Sequence, residues 1–292
     1  MRIVVSGATG FIGSALSGSL TSAGHEVVAL SRSSRPGTVR WDPAARTTDV
    51  TGHVDAIFHL AGESIGDRWT RAKKQALVSS RIDGTATLAQ LAIDKSVKHF
   101  ISGSAIGYYG SRGDEELDEA ASPGTGFLAD LTVQWEAAAQ PAVEAGIPTA
   151  FARTSLVLAA SGGSFPRMAL PFKLGVGGPI GSGRQWWSWI SLRDEVRALH
   201  HIMEHTITGP VNLSSPQPIL NKEFARELGS AMGRPSLLPA PVFGLHLLLG
   251  SEFADQVLLA SQRVVPTVLT GTGFEFLDGD LASALRRITG RA

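Results

Sequence analysis

Apolar strands and amphipathic helices alternate along the first half of the chain. The β-branched run Arg2–Ser6 predicts a buried parallel strand, and apolar residues at helical spacing from Ile12 to Ala23 predict a helix that ends at Gly24. Glu26–Leu30 predicts a second strand. Strand, turn, helix and strand in this order are typical of half a nucleotide-binding βαβ unit. The pattern therefore predicts an α/β fold with a doubly wound parallel sheet of the Rossmann type.

The rest of the pattern extends this sheet to about six or seven strands. Further strands are predicted at Val39–Trp41, Val54–Leu60, His99–Ser104, Thr149–Leu158 and Pro210–Leu213, and further helices at Arg71–Ile93, Phe127–Ala145, Phe165–Leu174, Arg193–His205 and Lys222–Met232. Asn221 and Asp280 are predicted to cap helices. We predict a dinucleotide-binding domain at residues 1–160 and a smaller C-terminal substrate module at 161–292, with the chain crossing back to the sheet around 189–213.

Three glycines separate the first strand from the first helix. Gly7 permits a turn too tight for a side chain, Gly10 lets the backbone approach a pyrophosphate, and Gly13 lets the helix pack closely on the strand. Free N–H groups at the start of the helix would face the phosphates. The other cofactor contacts predicted in this turn are Thr9, Phe11 and Ile12.

The residues after the second strand indicate which dinucleotide binds. An acidic residue there would bond the ribose hydroxyls of NAD, yet residues 31–35 contain none. Ser31 and Arg32 instead offer a hydroxyl and a guanidinium, which suit a 2′-phosphate. We predict NADP(H), recognised by these two residues. The alternative is a solvated loop whose arginines serve no ligand.

Several motifs resemble one known family. Ser6–Gly13 resembles the TGxxGFIG turn of the extended and atypical short-chain dehydrogenase/reductase superfamily. Tyr108–Gly110, Phe127–Glu136, Gly177–Gly183 and Pro266–Phe276 resemble its YfcH-like, sugar-nucleotide epimerase-like branch, including the C-terminal module. The resemblance spans essentially the whole chain. It implies an NAD(P)-binding fold, but the motifs do not imply a particular reaction.

The resemblance also implies contacts beyond the glycine turn. The segment after the strand at 54–60 is similar to a superfamily turn that touches the dinucleotide, and its short residues would let the cofactor lie close. The contacts implied there are Leu60, Ala61, Gly62 and Glu63. Arg81 is either a contact to the cofactor phosphates or a solvated helix charge. Arg153 interrupts a buried run and needs a partner, which is either the cofactor or a structural carboxylate.

The catalytic residues depart from the family pattern. Ser104 occupies the position where extended members use Ser or Thr to polarise a substrate carbonyl. Those members add a Tyr and, four residues later, a Lys that lowers the pKa of the phenol. Here Leu128 and Thr132 stand in those two positions. The only tyrosines, Tyr108 and Tyr109, either supply the proton or pack at the sheet edge.

Other candidate sites are weaker. His201 and His205 share a helix face but lack a third ligand, so we predict no metal site. We expect His59 to be a packing residue and the acidic segment 114–119 to be solvated. The Gly- and Trp-rich segment 175–191 either lines a ligand cleft or seals two subdomains.

Composition limits the classes of partner. The formal net charge is zero, which gives no electrostatic basis for binding nucleic acid or an anionic membrane. No apolar run approaches the roughly 20 residues that span a bilayer, and the first strand leaves no room for a cleaved signal. The chain has no cysteine, which excludes disulfides and a thiolate nucleophile. We expect a cytoplasmic protein with a small-molecule substrate, and leave monomer or homodimer open.

Two functions remain. The first is an NADP(H)-dependent reductase or epimerase-like oxidoreductase acting on a small carbonyl or sugar-type substrate. The second is a non-catalytic protein that binds NADP(H) and reports its state through the C-terminal module. The missing Tyr–Lys pair favours the second, whereas the glycine turn, Ser104 and the Trp-rich segment favour the first.

Overall fold

The strands and helices follow the predicted alternation closely. The computed structural model describes residues 1–33 and 35–290. The strands are β1 (Arg2–Ser6), β2 (Glu26–Ser31), β3 (Thr38–Asp42), β4 (Thr47–Thr48), β5 (Ala56–His59), β6 (His99–Ala105), β7 (Glu116–Leu117), β8 (Thr149–Thr154), β9 (Leu156–Leu158), β10 (Trp186–Trp187), β11 (Trp189–Ser191), β12 (Gly209–Leu213), β13 (Ile219–Leu220) and β14 (Arg263–Val264). The α-helices are α1 (Phe11–Ser22), α2 (Arg71–Asp94), α3 (Phe127–Ala137), α4 (Gln140–Glu144), α5 (Phe165–Lys173), α6 (Leu192–Glu204), α7 (Asn221–Met232), α8 (Val242–Leu249), α9 (Ser251–Phe253), α10 (Thr267–Gly271) and α11 (Leu281–Thr289), with a 3₁₀ turn at Ile106–Tyr109 and a π-helical turn at Ala254–Leu258.

The central sheet is doubly wound. Its order is β12-β8-β6-β5-β1-β2-β3-β4, and every neighbouring pair is parallel except β3 and β4. The chain runs outward from β1 to β3, then returns to the other side of β1 and runs outward again through β5. The direction of winding therefore reverses between β1 and β5. Ligands of such sheets bind at the carboxyl ends of the strands on either side of that reversal. The predicted fold class is confirmed.

Each face of the sheet is covered by its own apolar core. Ile3 and Val5 pack with Leu16 of α1 and Leu199 of α6 on one face. Val4 joins Leu88 of α2 and Phe100 on the other face, a cluster that also includes Ala142 of α4. Because β1 is buried on both faces, its sequence is a continuous apolar run and does not alternate between apolar and polar residues.

A third core holds the C-terminal elements together. It joins α5, α7 and α11 around fully buried Trp189. Trp189 is therefore a core residue of the C-terminal elements. A seal between two subdomains, the second interpretation of the Trp-rich segment, stays a prediction. Trp186 and Trp187 are half-buried in β10. The chain returns to the central sheet at β12, so the sheet includes residues from both sides of the predicted boundary at 160.

Three predicted elements need correction. The helix expected at 127–145 is two helices, because Pro141 has no N–H to continue the first one. The strand expected at 149–158 divides at Ser155, whose N–H and hydroxyl both donate to Leu213 O, and β9 leaves the central sheet to pair with β11. Asn221 does not cap α7. Its side chain accepts instead from the Ile180 N–H at 2.7 Å, and Leu220 is the N-cap residue.

The helices of the described ranges give no candidate for a membrane span, because none is both long and apolar enough.

Candidate cofactor and substrate site

The glycine turn lies where β1 ends, beside the reversal in the sheet. Gly7 has φ +71°, and a Cβ there would lie 2.8 Å from Leu60 O and from Ala61 N. A Cβ on Gly13 would lie 2.1 Å from Gly7 O, so only glycine lets α1 approach the strand this closely. Gly10 closes the turn by donating its N–H to Gly7 O at 2.8 Å.

The start of α1 fits a bound pyrophosphate. Gly10 is the N-cap residue, in an extended conformation with φ −77° and ψ 176°, and no side chain within residues 1–33 and 35–290 caps the helix. The first turn contains no acidic residue. The first N–H groups, which begin at Phe11, therefore have no intrahelical or side-chain acceptor, and the helix dipole adds partial positive charge. Such an end favours an anion.

His59 supports the loop after β5. Its Nδ1 lies 2.6 Å from Ser6 Oγ, which also accepts the Ala61 N–H at 3.3 Å. The ring is fully buried, and Nε2 has no partner within the described residues. Burial lowers the pKa of His59 to about 3, so the ring is neutral. This agrees with the expected packing role.

Arg81 lies directly behind the same loop. Its Nη1 donates to Glu63 O at 3.1 Å and to Leu77 O at 3.3 Å, and its guanidinium lies 4.9 Å from the Trp135 ring centre. Burial lowers the pKa of Arg81 to about 10, so the group stays charged at neutral pH. It has no carboxylate ion pair in the part of the chain that the structure describes. The Glu63 carboxylate pairs with Lys73 instead.

The residues predicted to bind the 2′-phosphate, Ser31 and Arg32, lie at the carboxyl end of β2. Ser31 is half-buried, and its Oγ accepts the Ser33 N–H at 3.3 Å. Arg32 is exposed and forms no ion pair with residues of the described ranges. A free guanidinium beside a hydroxyl is compatible with phosphate recognition.

Ser104 is held by a buried ion pair. Its Oγ donates to Glu136 Oε1 at 2.6 Å, and the Glu136 carboxylate accepts two N–H groups of Arg153 at 2.8 and 2.9 Å. A serine hydroxyl carries one proton. Since Glu136 takes that proton's hydrogen bond, the Ser104 hydroxyl can offer another group only its lone pairs, as an acceptor. The donor role that the resemblance implies for Ser104 requires this bond to break.

The partner of Arg153 is therefore a structural carboxylate, that of Glu136, which is the second of its two proposed partners. It is only 3% exposed, and its remaining hydrogen bonds go to Tyr109 Oη and the Glu119 carbonyl. The contact between Arg153 and the cofactor has no support in this geometry.

The two tyrosines have different surroundings. Tyr109 is fully buried, donates to Asn212 Oδ1 at 2.8 Å and accepts from Arg153. Burial raises the pKa of Tyr109, so its phenol stays protonated inside the core. Tyr108 is half-buried, and the Arg153 guanidinium lies 3.5 Å from its ring centre. Of the two phenols, Tyr108 is the one with access to solvent.

The positions of the missing Tyr and Lys are occupied by groups without proton chemistry. Leu128 and Thr132 lie on α3 beside Gly107, and the Thr132 hydroxyl donates to Leu128 O at 2.7 Å. Sequence reasoning missed Glu136, although it lies four residues after Thr132 on the same helix face. The need of Arg153 for a carboxylate was the signal that could have identified it.

The acidic segment also needs correction at one residue. Glu119 was expected to be solvated, but it is buried, and its Oε1 accepts the N–H groups of Asn212 and Val268, both at 3.1 Å. It ties β12 and α10 to the segment after β7. His201, considered as a metal ligand, lies 2.9 Å from Thr272 Oγ1, and no metal-binding group of three side chains occurs in the described residues.

The fold and the site together define a dinucleotide-binding protein of the Rossmann type. Residues 3–213 match the model of the NAD dependent epimerase/dehydratase family, and residues 240–288 match a domain of unknown function, DUF1731. This chain belongs to the NAD dependent epimerase/dehydratase family. The resemblance to atypical short-chain dehydrogenases/reductases with a C-terminal module is confirmed.

Relatives cover the whole chain. Epimerase family protein Mb2239 of Mycobacterium bovis is 41% identical, over 99% of this chain and 98% of that protein. The crystal structure of human epimerase family protein SDR39U1 (isoform 2) with NADPH has a TM-score of 0.91 at 34% identity and covers 100% of both chains. A nucleoside-diphosphate sugar epimerase from Corynebacterium glutamicum gives a TM-score of 0.83 at 32% identity, over 99% of this chain and 58% of that one. The NADPH in the human structure supports the predicted cofactor.

Proposed function

We propose that this chain is an NADP(H)-dependent oxidoreductase, reductase or epimerase-like, that acts on a small carbonyl or sugar-type substrate. The observation that carries the proposal is the glycine turn, where Gly7 and Gly13 fit only as glycines and the uncapped start of α1 lies at the reversal of the sheet. When bound, the nicotinamide would give or take the hydride. Ser31 and Arg32 would bind the 2′-phosphate, and the loop 60–63 would lie against the cofactor.

The proposed proton donor is Tyr108. It is the phenol with solvent access, and the Arg153 guanidinium packs over its ring and holds it in place beside Ser104. Ser104 would orient the substrate by accepting a hydrogen bond from it, because its own proton is engaged by Glu136.

A second function is favoured by the same residues. Leu128 and Thr132 offer no acid or base, and Ser104 does not present a free proton. These features support a protein that binds NADP(H) without turnover and senses the state of the cofactor.

Two measurements test the proposal. Titration with NADPH, followed by its fluorescence, should give saturable binding. NADPH oxidation should then be followed with a panel of aldehydes and ketones. Epimerisation of nucleotide sugars consumes no net cofactor, so it should be followed by analysis of the sugar products, with Tyr108→Phe as the control variant in both assays. Turnover that Tyr108→Phe abolishes supports the oxidoreductase. Binding without turnover across the panel supports the sensing function, and absence of binding contradicts both.

The choice of dinucleotide has its own test. Arg32→Ala should raise the Kd for NADPH about tenfold or more, because a charged hydrogen bond to phosphate contributes roughly 1.5–3 kcal/mol, while the Kd for NADH should not change. Arg46→Ala, an exposed arginine elsewhere, is the matched control. An unchanged NADPH affinity in Arg32→Ala would contradict the assignment of Arg32.

A further inference from the structure

A groove of about 560 Å³ lies beside the glycine turn and has two walls. One wall is the turn and the first residues of α1. The other comes from much later in the chain, from the segment between β9 and α5 and from the start of α6. The lining residues are Thr9, Gly10, Phe11, Ser14, Ala15, Ser161, Gly162 and Leu192. Only the first wall contains residues that the sequence motifs predict to bind the cofactor.

The second wall is fixed against the first by two glycines. Gly162 and Gly163 have φ +79° and +61°, in the left-handed region that favours glycine. A Cβ on Gly162 would lie 2.5 Å from Phe11 Cδ2, and one on Gly163 would lie 2.7 Å from Phe11 Cε1. The backbone of both residues thus rests on the ring of the first residue of α1. The spacing between the walls depends on this contact.

The chemistry of the groove suits a phosphate that is bound without cations. None of the lining side chains is charged, and Thr9, Ser14 and Ser161 supply hydroxyls. Ser161 is exposed, and its hydroxyl has no hydrogen-bond partner within the described ranges. No carboxylate is present among the lining residues to repel an anion. Hydroxyl and backbone N–H donors are the groups that remain to bind phosphate oxygens.

We propose that the segment Ser161–Gly163 is the second wall of the NADP(H) site and that the Ser161 hydroxyl donates to the pyrophosphate. The cofactor is then held between α1 and a turn that follows β9, in a clamp set by Phe11. This inference rests on the proposed function, because it requires that the groove accept the dinucleotide. It adds a binding residue some 150 positions away from the glycine turn in sequence.

A pair of serine variants tests the proposal. Ser161→Ala should raise the Kd for NADPH about tenfold, as expected for loss of a hydrogen bond to a charged oxygen. Ser164→Ala removes the same hydroxyl three residues later, outside the lining of the groove, and should leave the Kd unchanged. Equal affinities of wild type, Ser161→Ala and Ser164→Ala would overturn the proposal.

Binding of a second ligand, 2′-AMP, shows which phosphate group of NADPH the Ser161 hydroxyl contacts. 2′-AMP carries the phosphate assigned to Arg32 but lacks the pyrophosphate, so Ser161→Ala should bind 2′-AMP as the wild type does, whereas Arg32→Ala should bind both ligands more weakly. Weakening of 2′-AMP by Ser161→Ala would overturn the assignment to the pyrophosphate. If wild-type protein binds neither ligand, the proposed function itself fails, which is distinct from a failure of Ser161 alone.

A steric variant tests the clamp independently of the hydroxyl. Gly162→Ala should weaken NADPH at least as much as Ser161→Ala, because its methyl group displaces Phe11 from the wall. Circular dichroism must show a folded protein for the comparison. A folded Gly162→Ala protein with wild-type affinity would contradict the role of the Phe11 contact.

Discussion

The buried ion pair beside Ser104 determines which substitutions this part of the molecule tolerates. The side chains of Arg153 and Glu136 are 4% and 13% exposed, so neither charge can be solvated if the other is removed. A buried ion pair need not stabilise a fold more than apolar residues would, but breaking one side of it leaves an unpaired charge. The pair therefore holds Ser104 in place, and the fold loses stability when a mutation removes one of the two partners.

Glu136→Gln should lower the free energy of unfolding by about 3 kcal/mol, since it leaves the Arg153 charge buried without its counter-ion. Urea denaturation measures this. Glu115→Gln breaks the exposed pair between Arg112 and Glu115 and should cost less than about 1 kcal/mol. Similar losses in the two variants would show that burial does not govern the effect.

Glu195 makes stability depend on pH. Its carboxyl is fully buried, with the Thr154 hydroxyl as its one hydrogen-bond partner among the described residues, and burial raises its pKa to about 8 from an ordinary 4.5. Between these values the unfolded chain releases the proton while the folded chain keeps it, so stability falls as pH rises through that window and levels off above it.

Wild-type protein should therefore lose about 2 kcal/mol of stability from this group between pH 6 and pH 8, and Glu195→Gln should remove that part of the slope. Urea midpoints at half-unit pH steps measure it. Glu204→Gln, exposed on the same helix, should follow the wild-type curve. Parallel curves for wild type and Glu195→Gln would contradict a neutral buried carboxyl.

At the scale of elements, the first turn and helix show how sequence and structure relate. The spacing predicted special roles for Gly7 and Gly13, and in the structure a side chain cannot fit at either position. Local pattern is sufficient there because turn and helix are adjacent in sequence. It fails at Asn221, whose side chain bonds Ile180 from 41 residues away, and at Glu136, whose role depends on β8. Glu119 and the division at Ser155 were missed for the same reason, because distant backbone groups decide both.

Helix α1 offers a matched pair of glycine variants. Gly13→Ala should cost several kcal/mol of stability and abolish NADPH binding, because its Cβ would meet Gly7 O at 2.1 Å and force the turn apart. Gly18→Ala lies in the same helix with nothing within 4 Å of the added Cβ, and should gain up to about 1 kcal/mol. Thermal unfolding and NADPH titration measure both. A destabilised Gly18→Ala would show that helix propensity does not decide the outcome.

On the scale of the whole molecule, a buried carboxylate joins the tail to the central fold. Asp194, in the first turn of α6, accepts the N–H groups of Leu277 and Asp278 at 3.1 and 2.8 Å. Asp278 in turn accepts from Ser191 Oγ at 2.7 Å and pairs with Arg287 of α11. Because Asp194 is wholly buried, its carboxylate depends on these protein donors rather than on water.

Asp194→Ala should release the segment 274–280 from α6 and lower stability by about 3 kcal/mol, since it removes the acceptor of the Leu277 N–H and the buried Asp278 N–H, and the carboxylate that pairs with Arg197. Hydrogen exchange at Leu277 and Asp278 should rise by at least tenfold, while exchange in β1 stays slow. Asp280→Ala, which removes only the cap of α11, is the control and should affect the last helix alone. Unchanged protection at residues 277–278 would show that the tail is held by apolar contacts.

The return of the chain at β12 has a consequence for dissecting this protein. A fragment ending at residue 160 would keep the glycine turn yet lose the strand that hydrogen-bonds along β8. The open backbone edge left behind, flanked by apolar faces, is the kind of surface on which chains stack and precipitate. Attempts to isolate the nucleotide half should therefore retain residues through 213, and a shorter piece should prove insoluble.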